Sequence, residues 1–163
     1  MELLTQSLAE ATVSDYELER NKPMPNLTHG SLQMNLGFEI KLNYGSQFRI
    51  ASEVALATTP DDTTPDIVVY PKRPLNFVNE TAKQTDAPLL AIEIQSPSQG
   101  NEEMIGKTYQ YFNFGVQSCW IVFPAMKAVA VYSNPVDYTF FREHDILKDT
   151  NLNLEIDLSK IFI

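Results

Sequence analysis

Short apolar runs separated by turn residues recur along the chain from residue 48 onward. The runs predict extended segments or β-strands at 48–59, 66–70, 89–95, 119–123, 128–133 and 138–142. Residues 101–114 predict a helix, with Ser98 or Asn101 as its cap and Gly115 as its C-terminal stop. Strands mixed with helices in this order predict an α/β or α+β fold.

Residues 29–44 are compatible with two structures. Their apolar side chains alternate with polar or small ones, as in a strand: Leu32, Met34, Leu36, Phe38, Ile40 and Leu42. Leu32, Leu36 and Ile40 also follow each other at intervals of four, which places them on one face of a helix. The stretch is long for a strand, but the local pattern leaves both structures open.

The remaining segments connect or end these elements. Residues 1–15 predict a short helix or a loose terminus, and 71–88 form a long polar connection. Asp157 is placed to cap a final helical turn. No internal repeat or linker-like stretch interrupts the sequence, so we expect a single domain over 1–163 with a peripheral segment at 1–15.

The amino-acid composition limits the classes of function that the chain can have. The chain has 163 residues, of which 44% are hydrophobic and 20% charged, which is enough apolar material for a core. The net charge of -9 argues against an indiscriminate polyanion binder, although a local basic groove stays possible. The N-terminus lacks a signal pattern and no apolar run is long enough to cross a membrane, so we expect a soluble cytoplasmic protein.

Few metal-binding schemes are open to this composition. Cys119 is the only cysteine and lies in an apolar run, where a small buried side chain is expected. His29 and His144 are the only histidines, which excludes a histidine-rich metal site. Any site for a hard metal ion must therefore use carboxylates.

Two carboxylates stand out against apolar surroundings. Glu93 lies inside the apolar strand 89–95, on the face opposite Leu90, Ile92 and Ile94. An unpaired charge there would be costly, so Glu93 needs a metal ion, a cation or a proton. Asp66 opens the preceding strand, where a turn residue is the ordinary interpretation. Together the two carboxylates could hold Mg²⁺ or Mn²⁺, although an ion pair involving Glu93 explains the pattern as well.

The helix at 101–114 adds Glu103, Lys107 and Tyr111 on one face. A solvated surface pair of Glu103 with Lys107 is the common outcome of this spacing. The alternative is that Lys107 points over the strand ends toward the two carboxylates.

Several short motifs in order resemble one protein family. They are Tyr16-Glu17-Leu18, Met24-Pro25, His29-Gly30, Ser52-Glu53, Pro65-Asp66-Ile67, Glu93-Ile94-Gln95-Ser96-Pro97-Ser98, Lys107 with Tyr111, and Gly115-Val116 with Cys119-Trp120. Over residues 14–163 the chain resembles the Uma-two family of bacterial restriction endonucleases, within the PD-(D/E)XK nuclease superfamily. The resemblance implies a central mixed sheet flanked by helices, and a helix for residues 29–44.

The resemblance also implies roles for individual residues. Asp66 and Glu93 would be the metal carboxylates for Mg²⁺ or Mn²⁺, with Glu53 as an additional acidic residue. The superfamily usually has lysine two residues after the second carboxylate, where this chain has Gln95. An amide cannot supply positive charge, and Lys107 matches the helix lysine that replaces the strand lysine in the family.

Two functions follow from these expectations. The first is a metal-dependent endonuclease that hydrolyses DNA phosphodiester bonds, with a homodimer as the expected assembly. The second is a binding or assembly module that keeps the nuclease fold with weak or no catalysis, which Gln95 and the negative net charge favour.

Overall fold

The structure, a computed structural model, describes residues 13–20 and 22–163. Its helices are α1 (Asp15–Arg20), α2 (Leu27–Tyr44) and α3 (Asn101–Phe114). Its strands are β1 (Phe48–Ser52), β2 (Ile67–Pro71), β3 (Leu90–Ile94), β4 (Ser118–Phe123), β5 (Ala128–Tyr132), β6 (Tyr138–Arg142), β7 (Ile146–Asp149) and β8 (Leu154–Asp157). Two short 3₁₀ turns span Pro124–Met126 and Leu158–Lys160. Most of the expected segment at 1–15 lies outside the described residues.

The centre of the molecule is a six-stranded sheet in which β1 to β6 lie side by side in chain order. All neighbours are antiparallel except β3 and β4, which run parallel and are joined by α3. A parallel pair requires a crossover, and the helix supplies it. The predicted mixed α/β fold is therefore confirmed. The β7–β8 hairpin, which forms a separate two-stranded sheet, was not predicted.

The sheet separates two apolar clusters. Leu90, Ile92 and Ile94 pack with α2 in one cluster, and Ala91 packs with α3 in the other. This division follows from the alternation of side chains along a strand. It places Glu93, on the same face as Ala91, toward α3.

The structure settles the two alternatives for residues 29–44 in favour of a helix. Its buried face contains Leu32, Leu36 and Ile40, while Met34 and Phe38 are exposed. The apparent strand pattern arises because apolar side chains also occur on the solvent face of this helix.

Two predicted boundaries change, and a third is as expected. The extended segment expected at 48–59 ends as a strand at Ser52, because Glu53 adopts a left-handed φ of 60°. The N-cap of α3 is Gly100, with no side-chain cap, rather than Ser98 or Asn101. Gly115 ends α3 as expected, at a φ of 126°.

The expected cap of the final turn is confirmed. Asp157 accepts a hydrogen bond from the backbone N–H of Ser159 at 3.0 Å. Cys119 is fully buried, as its apolar surroundings indicated. Among the described residues, no helix is long and apolar enough to cross a membrane.

Candidate active site

Asp66 and Glu93 meet because their strands are antiparallel neighbours. Ile67 pairs with Ile92, so the residues one step beyond, Asp66 and Glu93, lie across from each other. Both are completely buried. The backbone N–H of Ile94 donates to Asp66 Oδ2 at 2.7 Å, which fixes the first carboxylate against β3.

A lysine that the sequence pattern did not single out joins the two carboxylates. Lys22 Nζ lies 2.8 Å from Asp66 Oδ1 and 3.0 Å from Glu93 Oε2. It also donates to the carbonyl oxygen of Thr64 at 2.9 Å. Only 4% of the Lys22 side chain is exposed. The ammonium group is therefore a buried cation held between two buried anions.

The pKa values of Lys22 and Asp66 shift in the directions that favour their charged forms. Burial disfavours the ammonium, but the attraction of Glu93 and Asp66 outweighs it and raises the pKa of Lys22. Burial likewise disfavours the charged form of Asp66. The hydrogen bond with His29 and the charge of Lys22 outweigh that cost and lower the pKa of Asp66 to about 2.

Helix α2 contributes two further contacts to Asp66. His29 Nε2, in the first turn, lies 3.3 Å from Asp66 Oδ2, and the ring is buried. Gln33 donates to the backbone carbonyl of Asp66 at 3.0 Å. The position of His29 on α2 gave no signal in the sequence for a contact with Asp66, which directly precedes β2.

Helix α3 approaches Glu93 through the face that the spacing indicated. Lys107 Nζ lies 3.6 Å from Glu93 Oε2, and its side chain is 14% exposed. The Tyr111 hydroxyl donates to Glu93 Oε1. Burial, and then the charge of Glu93, raise the pKa of Tyr111 well above its ordinary value, so the hydroxyl stays a donor. Lys107 therefore points toward the carboxylates rather than to bulk solvent.

Glu53 and Gln95 take other positions. The Glu53 backbone N–H donates to the Asp66 carbonyl at 3.1 Å, and its carboxylate accepts from the Tyr16 hydroxyl at 2.5 Å. The Gln95 amide donates to the carbonyl of Gln99 at 3.0 Å and to Asn101 Oδ1 at 2.8 Å. Gln95 thus ties the end of β3 to the turn that begins α3.

A small cavity of about 100 Å³ opens beside the two lysines. Lys22, Lys107 and Gln110 line it together with the loop at 60–64. The lysine ammonium groups are the cationic part of this lining, and Asp61 and Asp62 are the anionic part. Its lining residues include both lysines of the cluster but neither of the two carboxylates.

The donor set fits a divalent cation in chemistry. Mg²⁺ is commonly held by one or two carboxylates, with waters and substrate phosphates completing the shell. Asp66 Oδ1 and Glu93 Oε2 converge on one point, and the Lys22 ammonium stands there as a cation of the protein's own. Within the ranges 13–20 and 22–163, no group of three or more His, Cys, Asp or Glu side chains forms a metal cluster. Of the described His, Cys, Asp and Glu side chains, those that would hold a metal ion here are Asp66 and Glu93.

This combination of a mixed sheet, opposed carboxylates on adjacent strands and a nearby helix lysine is that of the restriction-endonuclease-like fold. A family model described as "Putative restriction endonuclease", Uma2, matches residues 5–159, so the chain belongs to the Uma2 family. The resemblance inferred from the motifs is confirmed.

A solved structure agrees with the fold. The crystal structure of a "putative nuclease" from Anabaena variabilis ATCC 29413 is similar at a TM-score of 0.73 and 22% identity. The match covers 86% of this chain and 83% of that chain. Among curated proteins, no match is found.

Proposed function

We propose that this protein is a metal-dependent endonuclease that hydrolyses phosphodiester bonds in DNA. The observation that carries the proposal is the convergence of Asp66, Glu93 and Lys107, from three separate elements, in one buried cluster. Membership of a restriction endonuclease family supports the same chemistry.

In this proposal Asp66 and Glu93 hold Mg²⁺ or Mn²⁺. When bound, such an ion polarises a phosphate and makes water a stronger nucleophile. The Ile94 N–H and the Tyr111 hydroxyl hold the two carboxylates in place. Both donors stabilise the ionised form and so keep the oxygens available as ligands.

Lys107 is the proposed phosphate contact. Its ammonium lies beside Glu93 and lines the cavity that leads to solvent. A positive charge at this position stabilises the negative charge that accumulates on a phosphate during hydrolysis. It supplies the charge that Gln95 cannot. Glu53, whose backbone contacts Asp66, is proposed to assist from the adjacent strand.

A second function, a nuclease-fold binding module without turnover, is favoured by one observation. Lys22 and Lys107 together already offset the negative charges of the two carboxylates from within the chain. A module that binds a partner without catalysing a reaction would not require a metal ion between these carboxylates.

Cleavage of supercoiled plasmid DNA separates the two functions. Wild-type protein, Glu93→Gln and Glu155→Gln are compared in Mn²⁺, Mg²⁺ and EDTA. Glu155 is exposed on β8 and controls for the loss of one carboxylate. The nuclease proposal expects metal-dependent nicking by wild type and Glu155→Gln, and a loss of about 100-fold or more in Glu93→Gln. Equal nicking by all three would contradict the site, and no nicking by any of them favours the module.

The expected homodimer also stays a prediction. An enzyme that cuts both strands of a duplex commonly acts as a symmetric pair, because the two strands are related by a two-fold axis. Sedimentation equilibrium of the wild-type protein tests this: a mass twice that of the chain is expected, and a monomer mass at all concentrations contradicts it.

A further inference from the structure

We infer that Lys22 is a built-in competitor for the metal ion: its ammonium group occupies the cation position between Asp66 and Glu93 and must leave before a divalent ion binds there. The inference rests on the proposed function only in taking that ion to be the one the nuclease requires. It concerns a residue outside the nuclease motifs.

The distances make the two occupants mutually exclusive. Lys22 Nζ is 2.8 Å from Asp66 Oδ1 and 3.0 Å from Glu93 Oε2, so it lies within bonding reach of both oxygens. An Mg²⁺ ion held by the same two oxygens would sit about 2.0–2.1 Å from each. Both positions fall in the same small space. Two cations there would repel each other strongly, because little water screens the interaction.

Three oxygen contacts hold the Lys22 ammonium group in place. Its third contact is the Thr64 carbonyl at 2.9 Å, so the ammonium group lies within 3.0 Å of three oxygen atoms. Among the groups whose contacts the structure describes, the other cationic or potentially cationic ones facing the carboxylates are Lys107 from α3 and His29 from α2. Of these three groups, only Lys22 contacts both carboxylates, as far as the described residues show.

An exposed ion pair elsewhere in the chain provides a comparison for the buried contacts of Lys22. Lys83 Nζ lies 2.8 Å from Asp62 Oδ2, the same separation as that between Lys22 and Asp66. The Lys83 pair is about half exposed on both sides, so water screens it. The two lysines form ion pairs of equal length that differ mainly in burial and in the second carboxylate. Lys83→Met is therefore a matched control for Lys22→Met.

Lys22 has a route by which to leave. It lines the cavity of about 100 Å³ that also contains the loop at 60–64 and Lys107. The residues that line this space belong to the loop at 60–64, to α3 and to the segment of Lys22 itself. Movement of the ammonium into it would therefore not require a change in the sheet.

Isothermal titration calorimetry with Mn²⁺ tests the competition directly. Lys22→Met removes the competing charge and keeps most of the length of the side chain. We expect it to bind Mn²⁺ about ten-fold or more tightly than wild type, with Lys83→Met unchanged. Adding Glu93→Gln to Lys22→Met should remove the gain. The same Mn²⁺ affinity in Lys22→Met and wild type would overturn the inference.

A second measurement on the wild-type protein does not depend on the folding of a variant. Lysines are acetylated with and without Mn²⁺ at a concentration that saturates its binding, and the products are quantified by mass spectrometry. Lys22 should be protected without metal and reactive with it, whereas exposed Lys83 should react equally in both. Lys22 that reacts without metal, or stays protected at saturation, would refute the competition.

The two proposals can fail separately. Tight Mn²⁺ binding by Lys22→Met without DNA cleavage by any variant would leave the competition intact and remove the nuclease. Metal-dependent cleavage by wild type with an unchanged Mn²⁺ affinity in Lys22→Met would do the reverse.

Discussion

Asp66 is stabilised by contacts from three directions, and that is the reason its charge persists in a buried place. Ile94 donates from β3, His29 approaches from α2, and Lys22 lies between it and Glu93. Each contact is to the ionised carboxylate, so protonation weakens all of them at once. The electrostatics of the site therefore couple to folding.

The low pKa of Asp66 predicts a loss of stability in acid. The pKa in the folded protein is about 2 and the ordinary value is 3.8, so the ionised form is favoured by folding. The contribution, on the order of 2 kcal/mol, is present above about pH 4 and is lost as the pH falls toward 2. Urea unfolding of wild type and Asp66→Asn between pH 6 and 2 measures it.

The difference between the free energies of unfolding of the two proteins should shrink as the pH falls through that window. A difference that stays constant over the whole range would contradict the proposed ion pair. Asp62→Asn, in an exposed pair with Lys83, provides the control.

Sequence reasoning reached some of these residues and missed others for a physical reason. Glu93 interrupts an apolar strand and Lys107 has a defined face on a helix, so periodicity indicates where each side chain points. Lys22 precedes a proline in an irregular segment, where no periodicity applies. The contact between Lys22 and the carboxylates depends on the path of that segment through space, which the local pattern does not specify.

At the scale of elements, α3 offers two glycines with opposite requirements. Gly115 has a φ of 126°, and a Cβ there would lie 3.2 Å from the Ala87 Cβ. Gly106 lies within the helix with nothing within 4 Å of an added Cβ. Gly115→Ala should therefore destabilise the protein by about 1–3 kcal/mol. Gly106→Ala should stabilise it by about 0.5–1 kcal/mol.

Chemical denaturation of both variants checks this pair. The same substitution in one helix should change the free energy of unfolding in opposite directions. A stabilising effect of Gly115→Ala would show that the C-terminal turn of α3 does not require this backbone conformation.

The β7–β8 hairpin is joined to the main sheet by a buried carboxylate. Asp149 accepts from Trp120 Nε1 at 2.8 Å and from the Ser118 hydroxyl at 3.0 Å, both on β4. Asp149→Ala leaves these two buried donors without their acceptor, which should cost about 2–4 kcal/mol of stability. Thermal and urea unfolding measure the effect.

Lys148→Ala is the matched control, because Lys148 is the adjacent residue on β7 and is exposed. It should change the free energy of unfolding by less than about 0.5 kcal/mol. Equal effects of the two substitutions would show that the Asp149 contacts do not hold the hairpin to the sheet.

Most elements followed from the sequence, and the exceptions are instructive. The helix at 101–114 and the strands after it have clear periodicity and turn residues at their ends. Helix α2 does not, because Met34 and Phe38 add apolar side chains to its exposed face. The cluster of Asn and Asp residues around β7 and β8 obscured two four-residue strands. Their apolar positions are too few to show alternation.

For the whole molecule, we expect that folding does not require a bound metal ion. Lys22 and Lys107 offset the two carboxylate charges that a metal ion would otherwise offset. EDTA should therefore shift the midpoint of thermal unfolding of the wild-type protein by less than about 1 °C. A clear decrease in EDTA, reversed by Mn²⁺, would show that the folded protein normally holds a structural metal ion.

Anomalous diffraction from crystals of the wild-type protein grown with Mn²⁺ would locate the metal ion directly. We expect an anomalous peak between the carboxylates of Asp66 and Glu93, with the Lys22 ammonium displaced from its present contacts. A Mn²⁺ peak at another place, with Lys22 still bridging both carboxylates, would contradict it.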